Sequence, residues 1–171
     1  MKISRRSAAA LLALSIPLMA GGVALAADAT VHVSLWDNGP NAMDNMNKME
    51  PMGFAMKGMS MMAEKATMGV KIDMASVPAG KVTFDVINDS KETIHEMLIS
   101  PVVSDTAELP YIADENRVDE DAAGHLGEVS ELEPGKSGAL TVEIKPGKYI
   151  LYCNIPGHYV MGMWTLIEVT G

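Results

Sequence analysis

The stretch "CNIPGHYVMGMW", Cys153 to Trp164, holds the only cysteine of the chain and sets a thiol, an imidazole and a thioether at five-residue intervals, on Cys153, His158 and Met163. Residues i and i+5 diverge around a helix and fall on opposite faces of a strand, so no regular element presents the three together. A loop does. Pro156 fixes φ and Gly157 admits conformations closed to other residues, so the chain can turn sharply just before His158 and aim the three side chains at one point. Such a centre is a soft-metal site.

One thiolate, one imidazole and a weak axial thioether make up most of a blue-copper ligand set, which needs a second histidine. The rest of the chain must supply it. Apolar and polar residues alternate in "TVHVSLWD" (30–37) and "KVTFDVIND" (81–89), and the series continues through "TIHEMLIS", "GALTVEIK", "KYILYC" and "MWTLIEVT". Turn sequences such as "VPAGK", "NDSKET", "EPGKSG" and "KPGKY" separate them. Short strands between Gly/Pro turns predict an all-β, Greek-key β-sandwich. Two segments break the rhythm: a methionine-rich insertion after the first strand, residues 38–68, and an acidic connection, 102–126, with room for a short helix.

Of the remaining histidines, His32, His95 and His125, His95 sits at the start of a strand that follows a polar turn, where an imidazole can face one end of the sandwich. With that placement the chain resembles the cupredoxins, the type 1 blue-copper proteins. "CNIPGH" followed by Met163 is similar to the C-terminal copper loop of the auracyanin-, rusticyanin- and sulfocyanin-like members. The resemblance implies His95, Cys153 and His158 as equatorial copper ligands and Met163 as the axial one, with Met161 the competing thioether. It implies one Cu(I)/Cu(II) ion per chain and a one-electron carrier rather than an enzyme, a red-copper redox enzyme being the alternative. Two positions depart from the family pattern. Glu96 stands where an asparagine commonly ties the ligand loops together, and a carboxylate there would favour Cu(II) or become a ligand. Asn154 follows the cysteine in place of Ser or Thr, with its backbone N–H expected at the sulfur. A Cys–His nucleophile is the enzymatic rival, but the sequence offers no oxyanion donors or orienting carboxylate near the loop.

Lys2, Arg5 and Arg6 precede the apolar run "AAALLALSIPLMAGGVALA", which ends in Ala24-Leu25-Ala26, so residues 1–26 read as a secretory signal peptide cleaved after Ala26. Ser4-Arg5-Arg6 begins a twin-arginine pattern without the apolar residues expected after the pair. Residues 27–171 are then one periplasmic or otherwise exported domain with no permanent membrane insertion. It carries 10 basic against 22 acidic residues, a formal charge of −12. That sign excludes nucleic acid as a natural partner and suits a cationic cytochrome or oxidase. Asp114, Glu115, Asp119, Glu120 and Asp121 are the candidate docking face, and His125 is a capping or surface residue.

The insertion carries Met43, Met46, Met49, Met52, Met56, Met59, Met61, Met62 and Met68. Spacings of three and four suggest one helical face, but Pro51, Gly53 and Gly58 oppose a continuous helix. Thioethers select Cu(I), so weak capture of extra Cu(I), and with it a copper-tolerance role, stands beside simple packing and flexible docking.

Overall fold

The computed structural model describes residues 28–171. The signal peptide expected over 1–26 lies outside the described residues. The described residues form eleven strands, among them β1 (Ala29–Asp37), β2 (Met68–Ile72), β3 (Ser76–Pro78), β4 (Gly80–Asn88) and β5 (His95–Pro101). The acidic connection holds β6 (Tyr111–Ile112), β7 (Arg117–Val118) and a single helical turn, Glu120–Ala123. The chain then runs through β8 (Gly127–Leu132), β9 (Ser137–Ile144), β10 (Gly147–Tyr152) and β11 (Trp164–Thr170). One sheet has the order β2-β1-β4-β9 and the other β3-β11-β10-β5-β8, while β6 and β7 pair separately. The parallel pairs β1·β4 and β3·β11 and the crossovers between sheets give the Greek-key sandwich expected from the sequence.

Period two decides the first sheet. Val31, Val33 and Leu35 of β1 and Val82, Phe84 and Val86 of β4 are buried, with the intervening residues facing water. Each such side chain contributes about 1.5–3 kcal/mol by leaving solvent. The second sheet behaves differently, because both its faces are covered. Met97, Ile99, Leu151, Ile167 and Val169 face the first sheet. Leu98, Ile150, Tyr152 and Trp164 face outward into a second cluster with Phe54, Met56, Leu109, Val118 and Tyr159. That coverage accounts for the unbroken apolar runs in β5 and β10.

The methionine-rich insertion thus has a packing task. It runs as a chain of turns with short 3-10 pieces at Met46–Lys48 and Met59–Met61 and one helical turn, Met62–Lys65. Met52 accepts a hydrogen bond at its carbonyl from Trp164 Nε1–H (2.8 Å) and donates its N–H to Val160 O (2.8 Å), which docks the segment on the Cys153–Trp164 loop. Among the described residues, no helix is long and apolar enough to cross a membrane.

Candidate metal centre

Alternation carries the inward side of four strands to the same end of the sandwich. In β10, Leu151 points between the sheets, so Cys153 does as well; before β11, Met163 shares the parity of Ile167 and Val169. His95 opens β5, beside a register irregularity against β8. The loop returns on itself through Cys153 N–H to Met163 O (3.1 Å) and Met163 N–H to His158 O (3.1 Å). Gly157 sits at φ +88°, the left-handed conformation the sharp turn requires.

Three of the four predicted ligands meet. The donor atoms of His95, Cys153 and His158 lie within 4.8 Å of one another. His158 Nδ1 is 3.3 Å from Cys153 Sγ and 3.2 Å from His95 Nδ1. His95 and Cys153 are fully buried and His158 is 4% exposed. Met163 and Met161 are both buried in the core cluster that contains Cys153, which leaves either thioether on the inner side of the loop. Two nitrogens and a sulfur withdrawn from solvent fit a type 1 copper site in donor chemistry.

Burial governs the protonation of these side chains. It pushes the Cys153 thiol up to about 12, against the lowering effect of the Glu96 and Ile155 backbone N–H groups that point at the sulfur. Burial, and then the neighbouring His95 ring, bring His158 down to about 4. A neutral thiol beside a neutral imidazole is the reverse of the thiolate–imidazolium pair that cysteine nucleophiles use.

A residue outside the sequence expectation completes the site. Asp37 Oδ2 accepts a hydrogen bond from His95 Nε2–H at 2.8 Å, with both side chains withdrawn from solvent. With its proton held there, His95 presents the Nδ1 lone pair to the centre. Burial alone would raise the Asp37 pKa, but hydrogen bonds from Ser90, Gly39, His95 and Thr93 together bring it below the ordinary carboxylate value. The Ser90 turn is itself fixed by fully buried Asn88, which donates to Thr93 O (2.8 Å) and Leu132 O (2.7 Å). An orienting carboxylate therefore does exist near the loop, contrary to the sequence expectation. It serves His95, whereas the ring hydrogen-bonded to the sulfur is that of His158. The signal was present: Asp37 continues the inward series Val31, Val33, Leu35.

Both departures resolve in unexpected ways. Asn154 N–H does not reach the sulfur; it donates to Glu96 Oε1 (3.1 Å), while the Glu96 and Ile155 amides take the thiol. Glu96 thus ties the two loops together as an asparagine would, and it lies outside the group of converging ligand atoms. The Asn154 side chain reaches the acidic connection, accepting from Val118 N–H (2.7 Å) and donating to Val118 O (3.0 Å) and Glu120 Oε1 (2.8 Å). Glu120 is therefore structural rather than free for docking, and Asp119 caps the helical turn through Ala122 N–H (3.0 Å). Asp114, Glu115 and Asp121 remain exposed. His125 follows the left-handed Gly124 cap and is not among the converging donors.

Burial, reinforced by Glu128 and Glu120, raises Glu96 to about 7. An acid whose folded pKa exceeds its unfolded value costs stability increasingly as pH rises from 4.5 through 7. Glu96→Gln is expected to keep an acceptor for Asn154 and to stabilise the metal-free protein by about 2 kcal/mol near pH 8, once solvent screening is allowed for. The gain should vanish below the unfolded pKa. Urea midpoints of the two proteins at both pH values measure it, and equal midpoints near pH 8 would contradict a buried, charged Glu96.

No protein-family model matches the chain, and no curated protein does. Solved structures share the fold. Rusticyanin from Thiobacillus ferrooxidans aligns with 20% identity over 82% of this chain and 77% of its own, at a TM-score of 0.51. Auracyanin B aligns with 21% identity over 84% and 89%, also at 0.51.

Proposed function

We propose that the chain is an exported type 1 copper protein acting as a one-electron carrier. The convergence of His95, Cys153 and His158 in a buried pocket between two loops carries the reading. Rusticyanin, which shares the fold, is a copper protein. Bound copper would supply a one-electron Cu(II)/Cu(I) couple. The chain holds the donors. Cys153 gives the thiolate, with the Glu96 and Ile155 amides set to stabilise its charge. His95, oriented by Asp37, and His158 give the imidazoles, and Met163 the weak axial thioether. His158, the one ligand of the three with any exposure, is the electron's exit. Exposed Asp114, Glu115 and Asp121 suit a cationic cytochrome or oxidase, with association that slows as salt rises. Export rests on the segment 1–26.

The optical and EPR spectra of the copper-loaded protein test this reading. An intense thiolate-to-copper band with a narrow copper hyperfine splitting is expected; its absence would refute a type 1 site.

Proton bookkeeping gives an independent check. Thiol ligands bind as thiolates, so binding releases the Cys153 proton, while His158, held near 4, is already neutral. Between about pH 8 and 9.5, where Glu96 is already ionised, one proton per copper is expected, and apparent affinity should rise about tenfold per pH unit. Calorimetry in buffers of different ionisation enthalpy counts the protons. A count of zero would remove Cys153 from the ligand set.

A further inference from the structure

The centre raises a problem of access, because two of its donors are fully buried and the third nearly so. The Cys153–His158 loop covers the centre, and two thioethers stand against that loop at Gly157. A Cβ built on Gly157, the residue before His158, would fall 2.5 Å from Met46 Sδ and 2.6 Å from Met43 Cε. Their placement follows from backbone geometry. Residues 39–48 run as successive i→i+3 turns, with Ala42 N–H to Gly39 O (2.9 Å), Met46 N–H to Met43 O (3.1 Å) and Lys48 N–H to Asn45 O (2.9 Å). In 3-10 geometry side chains three apart eclipse one another, so Met43 and Met46 line one side, and Met43, Met46 and Met49 all pack half-buried against the cluster containing Cys153.

Of the other insertion methionines, Met62 packs half-buried against the second cluster and Met61 is exposed, away from the Cys153 cluster. Met52, Met56 and Met68 are buried, and Met59 Sδ accepts the Ala55 N–H at 3.1 Å. The insertion is thus divided into a packing half and a rim half. Leucine would pack as well at the rim, whereas thioether sulfur adds affinity for Cu(I) without any proton to lose.

We propose that Met43, Met46 and Met49 form a second, shallow Cu(I) site against the Cys153–His158 loop, from which the buried donors are loaded. The loading role rests on the copper reading above; the second site is tested separately from it. Full mature protein first receives one equivalent of Cu(I), whose transfer to the deep site is verified by the thiolate band on oxidation of a sample. A second equivalent, or Ag(I) as a probe, is then titrated against a chelator, with methyl NMR of labelled methionine as readout. The expected result is two Cu(I) per chain, shifts confined to Met43, Met46 and Met49 among the insertion methionines, and one Cu(I) in the triple leucine variant. The rate of first loading should fall at least severalfold in that variant. Absence of a second equivalent, its persistence in the variant, or shifts centred on Met52, Met56 or Met59 would overturn the rim site even with a normal thiolate band. Because the shifts are read on unmutated protein, a poorly folded variant leaves the test intact. A chain that never develops the band fails the copper reading instead.

Discussion

Cys153→Ser is expected to remove the thiolate-to-copper absorption completely and to weaken Cu(II) binding by more than the 10–100-fold typical of losing an outer partner of a metal ligand. The colour requires sulfur-to-copper charge transfer, which a serine oxygen cannot supply. The fold should survive. Its apolar core runs through both sheets, from Val31 and Phe84 to Leu151 and Ile167, and does not depend on one sulfur atom. Ser Oγ can also receive the Glu96 and Ile155 N–H groups, so the penalty for unpaired buried amides is limited to about 1 kcal/mol. Far-UV circular dichroism and urea unfolding report the fold, and the optical spectrum reports the ligand. A residual band of similar energy and intensity would mean that the sulfur is not bound to copper.

What the sequence made legible depended on the range of the interactions involved. The strands that alternate cleanly, β1 and β4, are solvated on one face, so period two is written into their residues. Cys153, His158 and Met163 are legible because one short loop carries all of them. Edge strands β2 and β3 and the small β6·β7 pair are too short to leave a pattern, and β2 begins within the span read as insertion. The insertion's contact with the outer face of the second sheet is a long-range fact. Nothing in "MEPMGFAM" states that Met52 will meet Trp164 across the fold. The exchange of roles between Glu96 and Asn154 was hidden for a similar reason, since it turns on which amide the folded loop presents to the sulfur. Asp37 was legible in part. Its strand parity points inward, but only the packed sandwich brings β1 against the start of β5 and gives the carboxylate a partner.

That partner sets the second large effect. Asp37→Asn is expected to weaken Cu(II) binding about 10–100-fold, because the outer carboxylate both fixes the His95 tautomer and raises its basicity. The wild-type carboxylate accepts from His95 Nε2–H at Oδ2 and from Gly39 N–H at Oδ1 (2.7 Å). An asparagine has one oxygen for these two donors. If it keeps His95, its NH2 faces the Gly39 amide; if it keeps Gly39, its NH2 drives the imidazole proton onto Nδ1, where the metal must displace it. Either way the deep site is paying for a proton or a donor clash. Loss of the buried negative charge disfavours Cu(II) more than Cu(I), so the reduction potential should rise, by about 60 mV for each tenfold of differential affinity. Acidity gives the sign independently. The folded Asp37 pKa is lowered, so its contribution is present above the unfolded value of 3.8 and is lost as pH falls through the folded one. Wild-type protein should therefore lose its affinity advantage over the variant in acid. Cu(II) competition titrations and voltammetry across pH measure both quantities, with unfolding of the metal-free proteins as control. An unchanged potential and affinity at neutral pH would show that Asp37 merely fills space beside His95.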